Sequence, residues 1–157
     1  MVFLLYSLVS LFAYVYFMKL RKKHLHSLEI FFYWCLASIL IQNRSAIYTM
    51  NVKTVVIPHL AMYEFSNVLI RLVLYPLVTL LFLNEIAAAE SKMKIWAIIK
   101  YSAFFLGLEW ISDWLSVYKH MKPYLLSSGV FWIGYLILMM MVMRMFRGKL
   151  YKGYHQP

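Results

Sequence analysis

Gly107-Leu108-Glu109-Trp110-Ile111-Ser112-Asp113-Trp114 puts two carboxylates inside an apolar run long enough to cross a bilayer. The rest of the chain has to accommodate them. Four residues apart on a helix, Glu109 and Asp113 lie about 40° apart around the axis, and Trp110 and Trp114 form a parallel aromatic stripe. The 157 residues around this stretch are 64% hydrophobic and 14% charged, with a mean hydropathy of +0.70, outside the usual range for soluble domains. At roughly 20 residues per crossing, there is room for about four to six helices and no sizeable soluble domain.

The formal charge of +10 clusters beside apolar runs. That placement points to anionic lipid and to orientation in a membrane, not to nucleic acid. The single cysteine, Cys35, lies within an apolar segment, which excludes an internal disulfide or a cysteine metal cluster and leaves it a packing role.

Working outward from 107–114, the fold expected is all-α, a polytopic bundle of about five spans at residues 2–18, 28–48, 67–83, 95–118 and 124–143. Residues 2–18 have no basic stretch before them and are followed by Lys19, Arg21, Lys22 and Lys23, the reverse of a signal peptide, so they read as a retained span. His24 and His26 stand in a basic loop without further ligands and read as solvated. The second span lines up Ser38, Gln42, Ser45 and Thr49 at helical spacing, while Arg44, on another side and close to the surface, is expected to snorkel to headgroups. Residues 50–66, with Lys53, Pro58, His59 and Glu64, read as an outer loop or interfacial helix, with a re-entrant hairpin as the alternative.

In the third span Glu64, Asn67, Arg71, Tyr75 and Thr79 form one polar stripe, and Pro76 is expected to kink the helix beside Arg71. Residues 84–94 read as a polar turn, Lys100 as snorkelling to the inner interface, and His120 as a solvated turn histidine. Ser127, Ser128 and Gly129 mark a position of close helix approach, and the Met139 to Met143 run reads as adaptable packing.

Loop charge sets the orientation. Lys19, Arg21, Lys22, Lys23, Lys92, Lys94, Arg144, Arg147, Lys149 and Lys152 fall on one side, and only Arg44, Lys53, Lys119 and Lys122 on the other. The positive-inside rule then favours an outside N-terminus and an inside C-terminus, with Trp34, Trp96, Trp114 and Tyr118 near the two interfaces. Arg71 lies roughly 18 Å from the inner end of its predicted span and Glu109 roughly 21 Å from that of its own. A lone charge at that depth is penalised by about 2.5–3.5 kcal/mol or more. Arg71 is therefore expected to pair with Glu109, Asp113 or both, with Asn67 and Gln42 as further hydrogen-bond partners. Such a centre has three readings: a salt bridge fixing helix register, a proton or cation relay using the surplus carboxylate, or an outward-facing pocket for a small polar ligand.

Leu74-Tyr75-Pro76-Leu77, Glu109-Trp110 and the aromatic turn leading to Trp132 resemble the small uncharacterised five-span integral membrane proteins of spore-forming Gram-positive bacteria, over the last two-thirds of the chain. That resemblance implies architecture and a multi-pass place in the bacterial plasma membrane, and no chemistry. Arg71 and the first span lie outside it.

Catalytic signatures are missing: the five histidines are scattered, and neither His-Glu-x-x-His nor Gly-x-Ser-x-Gly occurs. Glu109 and Asp113 as an acid and base would approach a bond from the same side, which disfavours a lipid-modifying enzyme. The function expected is a binding or scaffold subunit of a membrane assembly, without cofactor or metal, in contact with anionic lipid and with a homo-oligomeric or membrane-protein partner. The alternative is a proton- or cation-conducting component or small transporter acting as an oligomer, although the polar stripes fade beyond Thr79 and Ser102.

Overall fold

Within hydrocarbon every backbone N–H and C=O must find its partner in its own segment, so the apolar runs are helical. The computed structural model describes residues 2–20, 23–51, 55–56, 58, 61–117, 119–120 and 125–150. Arg21, Lys22, Lys53, His59, Tyr118, Lys122 and Lys152, which entered the reading of loops and charge, lie outside the described residues. The elements are α1 (Val2–Lys19), α2 (Ser27–Ala46) running into a π turn (Ile47–Asn51), α3 (Ala61–Leu69), a second π turn (Ile70–Leu74), α4 (Tyr75–Ala88), α5 (Ser91–Trp114) and α6 (Leu125–Leu150). Two-residue strands β1 (Val55–Val56) and β2 (Lys119–His120) pair antiparallel. Among the described residues five helices are long and apolar enough to cross a membrane, with α3, its π turn and α4 forming the third, Ala61–Ala88.

The third and fourth spans differ from the sequence reading at their ends for identifiable reasons. The third helix begins at Ala61, so Glu64 belongs to it and not to a loop, and it runs on to Ala88 through Asn84 and Glu85. Asn84 can be helical and buried because its Oδ1 accepts the backbone N–H of His24 at 2.8 Å. The fourth span stops at Trp114. Ser116, with φ 56°, donates its N–H to Asp113 O at 3.0 Å, and Val117 donates to Ser112 O at 2.9 Å, a Schellman ending with the fully buried Val117 as its apolar contact.

Pro76 is the second residue of α4, within the continuous helix Ala61–Ala88, where its missing N–H leaves a gap in the hydrogen-bond ladder directly after the π turn. Just before it the chain makes the π turn, with the Tyr75 N–H bonding Ile70 O. That turn carries Arg71.

The third span is the centre of the bundle. Ten of the fourteen residues of α4, including Leu77, Leu80, Phe82 and Leu83, are buried on all sides of the helix, and α1, α2, α5 and α6 all pack on this span. The adjoining aromatic core stacks Phe105 on Trp132 with ring centres 4.2 Å apart, and sets Tyr75 edge-on to Trp132 at 5.2 Å. Met139 and Met143 face this core while Met141 faces out. At Gly129 an added Cβ would meet Leu106 Cδ1 at 3.8 Å, an ordinary contact, so no close helix approach depends on it.

Side-chain bonds define the two ends. At one, Arg147 clamps Glu29 with Nε to Oε1 at 2.6 Å and Nη2 to Oε2 at 3.0 Å, and the same Nη2 donates to His24 O. The end of α6, the α1–α2 connection and the end of α4 therefore meet there. At the other end, β1 and β2 join the two connections, and Tyr6 near the start of α1 bonds Ser112 near the end of α5 at 2.7 Å.

Candidate functional site

The charged centre forms where α2, α5 and α6 converge. Arg44 on α2 donates Nη1 to Glu109 Oε1 on α5 and Nη2 to Ser128 Oγ on α6, the latter at 2.8 Å. Its guanidinium carbon lies 4.3 Å from the ring centre of Phe131, 4.8 Å from Trp132 and 5.3 Å from Tyr48. Three aromatic faces thus complete the shell of a cation that hydrogen-bonds a carboxylate and a hydroxyl. Glu109 is 3% exposed and Ser128 1%. This is a buried ion pair tying three helices.

The expected partner of Glu109, Arg71, is engaged elsewhere. It donates Nη1 to Ser45 Oγ and Nε to Asn67 O, the latter at 3.2 Å. The expectation that Arg44 snorkels is overturned, since its side chain is 12% exposed and turned inward. Depth does not separate the two arginines. At 1.5 Å per residue Arg44 is about 26 Å from the start of α2, Arg71 about 26 Å from the end of α4, and Glu109 about 27 Å from the start of α5. Rotation about the helix axes decides, and it points Arg44 at Glu109.

Of the other residues singled out, Asn67 is buried and supplies its carbonyl to Arg71. Asp113, half-buried, lies one turn beyond Glu109. Gln42 is half-buried and adds no hydrogen bond to the centre among the described residues. Glu64 is exposed on α3. Trp110 and Trp114, at 62% and 78% exposure, face away from the centre, as a stripe beside the carboxylates must if the carboxylates turn inward. Of the expected polar stripe on the second span, Ser45 accepts Arg71 through its hydroxyl, and Thr49 Oγ1 donates to Ser45 O at 2.7 Å.

Sequence reasoning assigned neither Ser128 nor the Tyr6–Ser112 bond to the polar structure. Ser112 lies between the two carboxylates on the chain, and its inward-facing hydroxyl follows from the same helical phase as Glu109.

The centre is incompletely satisfied. Glu109 Oε2, Arg44 Nε and Trp132 Nε1 are buried without a hydrogen-bond partner, and each such group costs several kcal/mol in an apolar medium. One acceptor and two donors are therefore open to a water or a small polar guest. Toward the opposite end the interior turns more apolar, with Leu77, Leu80, Phe105, Leu136 and Met139 fully buried, and among the described residues its buried polar groups include the 2.9 Å Thr79–Tyr135 hydroxyl pair, Ser102, Ser38 and the Tyr33 hydroxyl. Among the described residues no group of three His, Cys, Asp or Glu could hold a metal ion.

No family model, curated protein or solved structure matches the chain.

Proposed function

We propose that this chain is a binding or scaffold subunit of a membrane assembly, inserted N-terminus outside and C-terminus inside in a bacterial plasma membrane. The observation that carries the reading is the buried Arg44–Glu109–Ser128 tie above a mainly apolar interior. Three helices are tied at one level, and among the described residues the mainly apolar interior below it offers no charged side chain to carry an ion onward until Glu29, which supports a tie more than a conduction path. The orientation rests on the collection of Lys19, Lys23, Lys92, Lys94, Arg144 and Lys149 at the end of the bundle where Arg147 binds Glu29. The bacterial plasma membrane rests on the resemblance to five-span proteins of spore-forming bacteria.

The test is twofold. Proteoliposomes of the purified chain should pass no protons above empty vesicles, and gently solubilised membranes should hold the chain in a complex larger than its own 18.7 kDa. For orientation, in a Cys35→Ser background, a cysteine replacing Lys149 should react with a membrane-impermeant maleimide only after the cells are opened. Labelling of intact cells would reverse the orientation.

The partnerless Glu109 Oε2, with Asp113 one turn away, favours a second reading, a proton or cation pathway completed by further copies of the chain. A proton flux abolished by Glu109→Gln would establish it in place of the first.

A further inference from the structure

α1 and α5 meet at one end of the bundle through Tyr6 and Ser112. Toward the basic end a seam opens between them, floored by the third span. Its first part is a groove of about 310 Å³ walled by Phe12 and Tyr16 of α1 and by Tyr101 and Phe104 of α5, over Val78 and Leu81. Tyr16, Leu81 and Tyr101 also border a second cavity of about 430 Å³ that continues the seam to the end of the bundle and is lined by His24, Asn84, Glu85 and Glu90. The first cavity is almost wholly apolar, and the second sets its polar groups into a lining that is still mainly apolar.

The charge of the second cavity is the reverse of its surroundings. On a chain of net charge +10 with six acidic residues, Glu85 and Glu90 both line this one cavity, and among the described residues that line it none is a lysine or arginine. Lys100 borders the apolar groove instead. Its Nζ reaches both oxygens of Glu85 at 2.6 Å, which leaves one of its three N–H donors at the junction of the two cavities. The order along the seam is thus an apolar slot, one cationic donor, then an acidic pocket with two tyrosine rings.

We propose that this seam holds one glycerophospholipid of the leaflet on the basic side, an acyl chain in the groove and a primary-ammonium headgroup of the phosphatidylethanolamine class in the acidic pocket. The sequence of groups in such a lipid matches the seam. Its hydrocarbon meets Phe12, Val78 and Phe104, its phosphate takes the spare donor of Lys100, and its ammonium donates to Glu85 and Glu90 beside Tyr16 and Tyr101. A trimethylammonium headgroup has no N–H to donate, and an anionic headgroup meets two carboxylates, so both fit less well. Anionic lipid still gathers around the basic end as a diffuse atmosphere, whereas the seam selects by shape and hydrogen bonding.

Native mass spectrometry of the full chain, released from micelles holding equal phosphatidylethanolamine, phosphatidylcholine and phosphatidylglycerol, tests this. Phosphatidylethanolamine should be retained about tenfold over the other two, the size of one charge-assisted hydrogen bond. In Glu85→Gln/Glu90→Gln that preference should vanish, and with Lys100 released phosphatidylglycerol should become the better-retained lipid. Both carboxylates are at least partly exposed, so the double variant keeps the fold, verified by an unchanged melting temperature. Ala13→Phe, which narrows the groove, should lower retention of all three lipids together. Equal retention of the three headgroups by the unaltered chain, or a preference that survives loss of both carboxylates, overturns the proposal.

Discussion

Two buried glutamates meet arginines in this bundle, at opposite ends and with opposite degrees of completeness. At the basic end Glu29 spends both oxygens on Arg147, and Oε2 also accepts the His26 N–H at 2.8 Å, in the first turn of α2. Glu109 spends one oxygen on Arg44 and leaves the other bare, while Arg44 keeps an unused Nε and leans on three aromatic rings. The first pair can relax toward water, because the Arg147 side chain is 26% exposed; the second has no such exit. A salt bridge near the interface joins elements at moderate gain. One sunk among rings penalises every arrangement in which it is broken, and so specifies one register more than it adds stability.

The contrast breaks most sharply at the inner member of each pair. Arg44→Leu should destabilise the bundle by about 3–5 kcal/mol, since it strands a buried carboxylate, and Arg44→Leu/Glu109→Leu should recover much of that loss. Reversible unfolding in mixed micelles measures both, and equal losses for the single and double variants would mean the two side chains do not interact. Arg147→Ala should cost less, about 1.5–3 kcal/mol, and its cost should shrink in high salt while that of Arg44→Leu does not. Tyr6→Phe removes one buried hydroxyl bond to Ser112, which still bonds Leu108 O at 2.8 Å, so the loss should be about 1 kcal/mol. Smallest of all, Lys100→Met should change stability by no more than about 1 kcal/mol, because Lys100 and Glu85 are 57% and 40% exposed in their side chains.

How much of this was legible in the sequence follows from what each signal measures. Apolar run length reports the number of crossings, because the bilayer sets it, and five emerge. Glu109 was legible as part of a buried centre for the same reason: a carboxylate at that depth must be answered by a cation. Which cation was not legible. Gln42, Asn43, Arg44 and Ser45 look like a helix nearing water, yet the π turn Ile47–Asn51 carries the helix onward and leaves Arg44 inside. Asn84 and Glu85 looked like a turn because a polar pair usually ends a span, and only the long-range bond from His24 N–H shows why the helix continues. Glu29 and Arg147 stand far apart in sequence, and no local pattern links them.

The placement of α1 has a consequence for biogenesis. It packs on the third span and not chiefly on α2, which follows it in the chain. During synthesis the first helix therefore enters the membrane before its main neighbours exist. Its coat of Leu4, Leu8, Leu11 and Phe12, all exposed, suits that wait in lipid. Assembly begins when the stretch from Ala61 to Ala88 arrives, so an interruption of synthesis before that point would release two unassociated hairpin arms and no partial bundle.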